Sequence, residues 1–230
     1  MQQVLEQIKK GLIVSCQALE GEPLHSSLIM GRMALAAKEG GAVGIRANSV
    51  ADIIEIKKQV NLPVIGIIKK VYDDHPVFIT PTMKEIDDLA ETHCEIIATD
   101  ATNRTRPDGS DLETFYKEVR SKYPHLLLMA DVSTVEEAMF ADELGFDLIA
   151  PTLYGYTPET NGLTIDDHDY AVISQIVKVV RNAKVLAEGN VSTPEIAKSV
   201  LDIGVHAVVV GGAITRPQLI TKKFANALKN

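Results

Sequence analysis

Eight short, largely apolar runs alternate with segments of helical period along this chain, and this alternation constrains its fold more than any other feature. The runs span residues 12–15, 42–45, 64–68, 95–99, 126–130, 148–150, 185–187 and 207–210. Runs of this length are typical of strands buried on both faces of a parallel sheet. Because strand and helix alternate so regularly, the sequence predicts an α/β fold built on a parallel sheet.

Helix-start and helix-stop signals lie between the runs. A Ser or Thr followed three residues later by an acid, such as Thr82 with Glu85, is typical of a helix N-terminus. Glycines in the left-handed conformation commonly end helices. We predict helix starts at Thr82, Ser133, Ser192 and, with a weaker pattern, Ser49, and helix ends at Gly145 and Gly204.

Eight such units can close into a barrel or spread as an open doubly wound sheet. The chain has 230 residues, close to the ~250 typical of an eight-stranded barrel, and 46% of them are apolar. No GxGxxG fingerprint follows the first run. We therefore predict a single-domain (β/α)8 TIM barrel over residues 1–230.

Polar residues follow nearly every predicted strand. They are Gln17, Arg46, Lys69, Asp100, Asp131, Thr152 with Tyr154, Glu188 and Gly211. In a βα barrel the carboxyl ends of all strands meet at one rim, where the active sites of this fold form. We therefore expect these residues to surround one site.

Composition excludes several classes of function. The net charge of −8 and the absence of a basic patch argue against a nucleic-acid or anionic-membrane partner. Cys16 and Cys94 are too few for a disulfide framework, and no metal-binding spacing occurs.

The N-terminus predicts a short amphipathic helix rather than a signal peptide, and no run approaches the ~18 apolar residues that span a bilayer. We expect a cytoplasmic protein; whether it forms a homo-oligomer is left open.

The last segment, 217–228, predicts an outer helix. Ile220, Phe224 and Leu228 recur at i, i+4 and i+8, so they share one helix face. We expect this face to pack against the barrel and the lysines to face water.

Two stretches interrupt the rhythm of strand and helix. Residues 75–81 are strand-like, and we interpret them as part of an extended loop near the rim. Residues 154–169 are rich in turn formers and are either a lid or a surface excursion. Arg104 and Arg106 show no clustered pattern and are expected to be surface or loop residues.

The turns after the last two predicted strands contain Gly189 with Asn190 and Gly211 with Gly212, and Arg216 follows shortly after. Such glycines occur in ordinary tight turns, but they also expose backbone N–H groups that can hold a phosphate. The turns after strands 7 and 8 are a frequent phosphate site in barrels. Taken together, the two turns and Arg216 favour a phosphate site here.

Four charged residues at strand ends could carry chemistry or only structure. Lys69 is either a solvated surface lysine or an amine desolvated at the rim. Glu188, at the end of a buried strand, is expected to be paired with a cation or catalytic. Arg46 and Asp131 could bind a ligand or form ion pairs that close the barrel top.

At this point the sequence resembles a known family. The motifs VSCQA, GIRANS, GIIKK, MADVST, AEGNVSTPE and VVVGGAITRP, in this order, are similar to those of the N-acetylmannosamine-6-phosphate 2-epimerases of bacterial sialic-acid catabolism. The resemblance implies interconversion of N-acetylmannosamine 6-phosphate and N-acetylglucosamine 6-phosphate without a metal or other cofactor. It also implies Lys69 and Glu188 as the catalytic pair, and Gln17, Arg46, Asp131 and Arg216 as contacts to the phosphorylated N-acetylhexosamine.

The residue types are compatible with this chemistry, and two other readings remain. Epimerisation at C2 removes a proton from carbon, which requires an open-chain aldehyde and a stabilised enolate. A phosphosugar aldolase or synthase would instead use Lys69 to form a Schiff base. A barrel that only binds a sugar phosphate as a regulatory module would need few of the polar groups at the rim.

Overall fold

Eight parallel strands form a barrel that closes on itself in the computed structural model, which describes residues 2–73 and 75–229. The strands are β1 Leu12–Cys16, β2 Gly44–Asn48, β3 Val64–Ile67, β4 Ile96–Asp100, β5 Leu127–Asp131, β6 Leu148–Ala150, β7 Lys184–Ala187 and β8 Ala207–Val210. Each strand pairs with the next in sequence, and Val14 of β1 pairs with Val210 of β8. The predicted TIM barrel is confirmed and the open sheet is excluded.

Helices follow the strands on the outside of the barrel. They are α1 Gln2–Ile8, α2 Ser27–Glu39, α3 Val50–Gln59, α4 Met83–Ala90, α5 Leu112–Lys122, α6 Val135–Leu144, α7 Asp167–Val179, α8 Pro194–Ile203, α9 Gly212–Thr215 and α10 Pro217–Ala227. Thr82 forms the predicted capping box with Glu85, and Ser49 caps α3.

Two predicted helix starts are wrong by one residue. Thr134 caps α6 with Glu137, where Ser133 was predicted, and Thr193 caps α8, where Ser192 was predicted. In each case the threonine hydroxyl accepts a backbone N–H three residues on. A Ser-Thr pair offers two adjacent caps, and the sequence does not distinguish them. Gly145 ends α6 with a φ of 98°, and Gly204 likewise ends α8, as predicted.

Alternation of side chains along each strand divides the core into two layers. In β1, Ile13 points into the barrel, whereas Val14 and Cys16 pack beneath the helices. In β3, Ile65 and Ile67 point inward in the same way. The next inward position, two residues beyond Ile67 and just after the end of β3, therefore belongs to Lys69. This alternation decides which polar residues reach the interior of the rim.

The C-terminal helix does not pack as predicted. Phe224 is 71% exposed and Leu228 is 88% exposed, and no residue of α10 is buried. The helix begins at Pro217 after a non-helical residue, Arg216, and its main neighbour is the short α9. The apolar face has the expected period, but only its N-terminal part meets the barrel: Leu219 and Ile220 line a cavity at the carboxyl ends of the strands, whereas Phe224 and Leu228 stay exposed. Periodicity specifies a face and not the surface that receives it.

Residues 75–81 form the extended rim loop that the sequence predicts. The loop returns towards the end of β3, where Lys69 and Ile79 form an isolated antiparallel bridge. Among the described residues, no helix combines the length and the apolar character that crossing a bilayer would require.

Candidate active site

A cavity of about 530 Å³ opens at the carboxyl ends of the strands. All but one of the predicted site residues line it: Gln17, Arg46, Lys69, Glu188, Gly189, Asn190, Gly211, Gly212 and Arg216. Arg46 lies within β2, whereas the others lie after the carboxyl ends of β1, β3, β7 and β8. Strand closure thus brings together residues that are up to about 200 positions apart in sequence.

Arg46 lies at the centre of the cavity floor, within β2 rather than after it. Its guanidinium is 1% exposed and joins two carboxylates. The Nη1 atom donates to Glu188 Oε2 at 2.7 Å and to Asp131 Oδ1 at 3.1 Å, while Nη2 lies 2.5 Å from Asp131 Oδ2. One cation is therefore shared between two acids, and Arg46 fixes the orientation of the Glu188 side chain.

Asp131 is the predicted residue that does not line the cavity. It is fully buried, and Thr152 donates a 2.6 Å hydrogen bond to its Oδ1 while Arg46 occupies both oxygens. These partners place Asp131 beneath Arg46. Its direct contact with substrate stays a prediction, whereas the ion pair that the sequence offered as the alternative is present.

Glu188 follows β7 and faces the cavity with little exposure. Burial raises the pKa of this carboxyl group to about 7, Arg46 opposes the rise, and the neighbouring Asp131 adds to it. A carboxyl group with a raised pKa can both accept and donate a proton near neutral pH. This is the behaviour expected of a general acid or base.

Lys69 reaches the cavity from the end of β3. Its backbone N–H donates to Asn48 Oδ1 at 2.8 Å, which ties the residue to β2. Burial, together with the positive charges of Arg46 and Arg216, lowers the pKa of the Lys69 amine to about 8 against the opposing effect of Glu188 and Asp131. Lys69 and Glu188 therefore titrate closer to each other than a free lysine and glutamate do.

The turn after β7 has a left-handed backbone. Gly189 has a φ of 106° and Asn190 a φ of 54°, both in the left-handed region. A Cβ atom at Gly189 would lie 2.8 Å from the carbonyl oxygen of Pro151, so a side chain does not fit there. Asn190 Oδ1 accepts a 3.2 Å hydrogen bond from the hydroxyl of Tyr156, which also lines the cavity.

Arg216 approaches the same cavity from the segment between α9 and α10. Its Nη2 donates to Glu22 Oε2 at 3.1 Å, and its Nε lies 2.9 Å from Glu22 Oε1. Glu22 lies in the loop after β1, and nothing in the sequence pattern connects it with Arg216. The cation predicted to meet a phosphate is thus already paired with a carboxylate.

Gln17 presents an unpaired polar atom to the cavity. Its Nε2 donates to Ser15 Oγ at 2.9 Å. Its buried Oε1 has no partner among residues 2–73 and 75–229. A buried acceptor without a donor is costly, so this atom suits an O–H or N–H group of a ligand.

Some predicted rim residues lie elsewhere, and others were missed. The Asp100 carboxylate binds Thr102 and Arg104 instead of facing the cavity. Tyr154 does not line the cavity, whereas Tyr156 does, although it belongs to a loop that the sequence left open. Phe78 also lines it. Phe78 belongs to the rim loop that the sequence predicts, but no local pattern indicates that this residue lines the cavity.

Fold and site together define an enzyme of the (β/α)8-barrel class, with a lysine, a carboxylic acid and a shared arginine at the carboxyl ends of the strands. The family model described as "NanE: Putative N-acetylmannosamine-6-phosphate epimerase" matches residues 30–230. The chain belongs to this family of epimerases.

Individual relatives agree with the family match. Two proteins named "Putative N-acetylmannosamine-6-phosphate 2-epimerase" cover almost all of the chain. The one from Staphylococcus saprophyticus is 60% identical over 96% of this chain and 98% of its own. The one from Shouchella clausii is 57% identical over all of both chains. The solved N-acetylmannosamine-6-phosphate 2-epimerase from Clostridium perfringens superposes with a TM-score of 0.91 at 52% identity, covering 97% of this chain and 95% of that one.

Proposed function

We propose that this chain interconverts N-acetyl-D-mannosamine 6-phosphate and N-acetyl-D-glucosamine 6-phosphate by moving the proton at C2, without a cofactor, in the catabolism of sialic acid and amino sugars. The observation that carries the proposal is the pair Lys69 and Glu188 in one cavity, with pKa values displaced towards neutrality by burial. Membership of the epimerase family supports the same reaction over the Schiff-base aldolase.

The reaction needs proton transfers on two faces of one carbon. The sugar ring opens to expose the C1 aldehyde, which makes the C2 proton acidic enough to remove. One group takes this proton, and negative charge develops on the C1 oxygen. A proton then returns to C2 from the opposite face, which inverts the configuration and regenerates the aldehyde.

Lys69 and Glu188 supply the two proton-transfer groups in this proposal, and their roles exchange with the direction of the reaction. Arg46 holds Glu188 in place through the 2.7 Å hydrogen bond and contributes positive charge near the developing enolate. Asp131, held by Arg46 and Thr152, keeps the guanidinium oriented. The unpaired Oε1 of Gln17 accepts a hydrogen bond from the substrate.

The phosphate group is assigned to the turns after β7 and β8. Gly189, Asn190, Gly211 and Gly212 line the cavity there, and Arg216 extends towards it. The absence of side chains at the glycines lets a ligand approach the backbone N–H groups. The phosphate would share Arg216 with Glu22 or displace the carboxylate.

A proton NMR time course with N-acetylmannosamine 6-phosphate in D₂O, with a chelator and without nucleotide, tests the proposal. We expect the gluco epimer to appear with deuterium at C2, because the group on the opposite face delivers a deuteron that it has taken from the solvent. Absence of conversion would contradict the proposed function. Conversion with hydrogen fully retained at C2 would contradict proton exchange with solvent and favour internal return of the same proton.

A borohydride experiment separates epimerisation from Schiff-base chemistry. Substrate plus borohydride should leave the enzyme active, because no imine forms on Lys69. A covalent substrate adduct, detected by mass spectrometry in the inactivated enzyme and absent from a Lys69→Met variant, would instead support the aldolase reading.

A further inference from the structure

Arg106 is a buried guanidinium outside the cavity, in the segment between β4 and α5. The sequence predicts a surface or loop residue, and Arg106 does lie in a loop, but it is only 2% exposed. Its Nη1 donates to the carbonyl oxygen of Pro81 at 2.9 Å and its Nη2 to Thr99 Oγ1 at 3.1 Å. Nη2 also donates to the carbonyl oxygen of Asp100. Its hydrogen-bond partners are thus uncharged oxygens, most of them on the backbone.

This arrangement is unusual for an arginine, because burial of a charge normally requires a carboxylate partner. The nearby Asp100 carboxylate is bound by Arg104 instead, with Nη2 of Arg104 2.7 Å from Oδ2. Arg106 stacks on Phe115, with Cζ 3.6 Å from the ring centroid. The guanidinium therefore uses its donors to hold backbone in place rather than to balance a charge.

The backbone that Arg106 holds lies between β3 and β4. Direct pairing of these two strands ends at Gly66 with Ile97. Beyond that point Ile79 lies between them, because it bridges to Lys69 and its carbonyl oxygen accepts from the Asp100 N–H at 3.0 Å. The segment 77–81 thus lies between the carboxyl ends of β3 and β4 at the rim of the barrel.

The same segment brackets Lys69 on both sides. The N–H of Thr80 donates to the carbonyl oxygen of Ile68 at 2.7 Å, and the N–H of Lys70 donates to the carbonyl oxygen of Phe78 at 2.9 Å. Phe78 and Ile79 also line the cavity beside the Lys69 side chain. Any movement of this segment would therefore change both the direction and the solvation of the Lys69 amine.

Thr80 shows why the segment needs an anchor. Its φ of 45° is left-handed, which is unfavourable for a β-branched residue. Its carbonyl oxygen accepts from Thr99 Oγ1 at 2.9 Å and, more weakly, from Arg106 Nη1 at 3.4 Å. These bonds and the Arg106 bond to Pro81 oppose relaxation of the strained residue.

We propose that Arg106 is a positioning residue for Lys69: it fixes segment 77–81 against the end of β3 and so keeps the amine directed into the cavity and shielded from water. The inference rests on the proposed role of Lys69 in proton transfer. It assigns Arg106 no contact with substrate.

The test compares Arg106→Gln with Arg104→Gln, a matched change in the same loop that leaves the bonds to Thr80 and Pro81 intact. The measurements are kcat and KM from pH 6 to 10 and the midpoint of thermal unfolding. For Arg106→Gln we expect kcat to fall about tenfold with less change in KM. The alkaline limb of the pH profile should move up by about one unit, because water around the amine returns its pKa towards the ordinary range.

A lower unfolding midpoint with an unchanged alkaline limb would overturn the inference, since it would leave Arg106 only a structural role. An equal limb shift in Arg104→Gln would also overturn it. If Arg106→Gln does not fold, Thr99→Val replaces it: this change removes the second anchor of Thr80, and Thr99→Ser is its control. We expect Thr99→Val to shift the limb and Thr99→Ser to leave it in place, and any other result contradicts the inference.

Lys69→Met, measured in parallel, separates this inference from the proposed function. Normal turnover by that variant would remove the proton-transfer role itself. If Lys69→Met is inactive and the alkaline limb of the pH profile is unchanged in the Arg106 and Thr99 variants, only the positioning role of Arg106 is refuted.

Discussion

Arg46 Nη1 lies 2.7 Å from Glu188 Oε2, so a side chain of β2 holds a side chain at the end of β7 across the barrel. The same guanidinium binds Asp131 at the end of β5. Three strands are thereby joined at the floor of the cavity, and the orientation of the proposed proton-transfer carboxyl group depends on this buried cation.

Replacing Arg46 by Met should cost both stability and activity. The change leaves the Asp131 and Glu188 carboxylates buried without their cation, which typically lowers the free energy of unfolding by about 3 to 5 kcal/mol. Urea unfolding at pH 7.5 measures this loss. Thr152→Val, which removes only one hydrogen bond to Asp131, should cost about 1 kcal/mol. Equal losses of unfolding free energy in the two variants would contradict the prediction that the Arg46 cation stabilises the two buried carboxylates.

Replacing Lys69 by Met should abolish most turnover without unfolding the protein. Loss of a general acid or base typically lowers the rate by ~10² to 10⁴. Lys70→Met is the matched control, because Lys70 is exposed and should not alter kcat/KM. Near-normal turnover by Lys69→Met in the NMR assay would refute the role of Lys69.

The pH dependence of kcat/KM should be bell-shaped. The pKa of Lys69 is lowered to about 8, mainly by burial, and the pKa of Glu188 is raised by burial. At a pH between these two pKa values, the Lys69 ammonium and the Glu188 carboxylate coexist. Activity should fall at low pH as Glu188 gains a proton and at high pH as Lys69 loses one. Steady-state rates from pH 5 to 10 measure both limbs, and a flat profile from pH 6 to 9 would contradict this pairing.

Arg216 and Glu22 should have opposite effects on the binding of phosphorylated substrate. Arg216→Ala removes a cation near the phosphate and should raise KM about tenfold or more with a smaller effect on kcat. Glu22→Gln removes a negative charge that competes for Arg216 and should lower KM a few-fold. Initial rates over a range of substrate concentrations measure both parameters. If Arg216→Ala leaves KM unchanged, or if Glu22→Gln raises it, the phosphate does not bind through this cation.

The sequence predicts the barrel well because its signals are local and repeated. Each buried strand is an apolar run, and the two-residue alternation along a strand fixes which polar residue points inward. This pattern places Lys69 and Glu188 at the rim but leaves open whether they are structural or catalytic, and the catalytic pair is what the family resemblance implies. The strand ends are predicted less well. A charged residue normally marks the end of a buried strand, so the sequence places Arg46 after β2, whereas it lies inside this strand.

The sequence by itself determined the number and order of the strands, the glycine-containing turns after β7 and β8, and the set of charged residues at the carboxyl ends. Only the tertiary structure decided how those residues pair. The sharing of Arg46 between Asp131 and Glu188, the pairing of Arg216 with Glu22 and the burial of Arg106 all involve residues that are distant in sequence. The exposure of Phe224 and Leu228 on α10 likewise depends on where the helix docks. The physical reason is that periodicity and capping are local properties of the chain, whereas ion pairs and helix docking depend on how the closed barrel brings separate segments together.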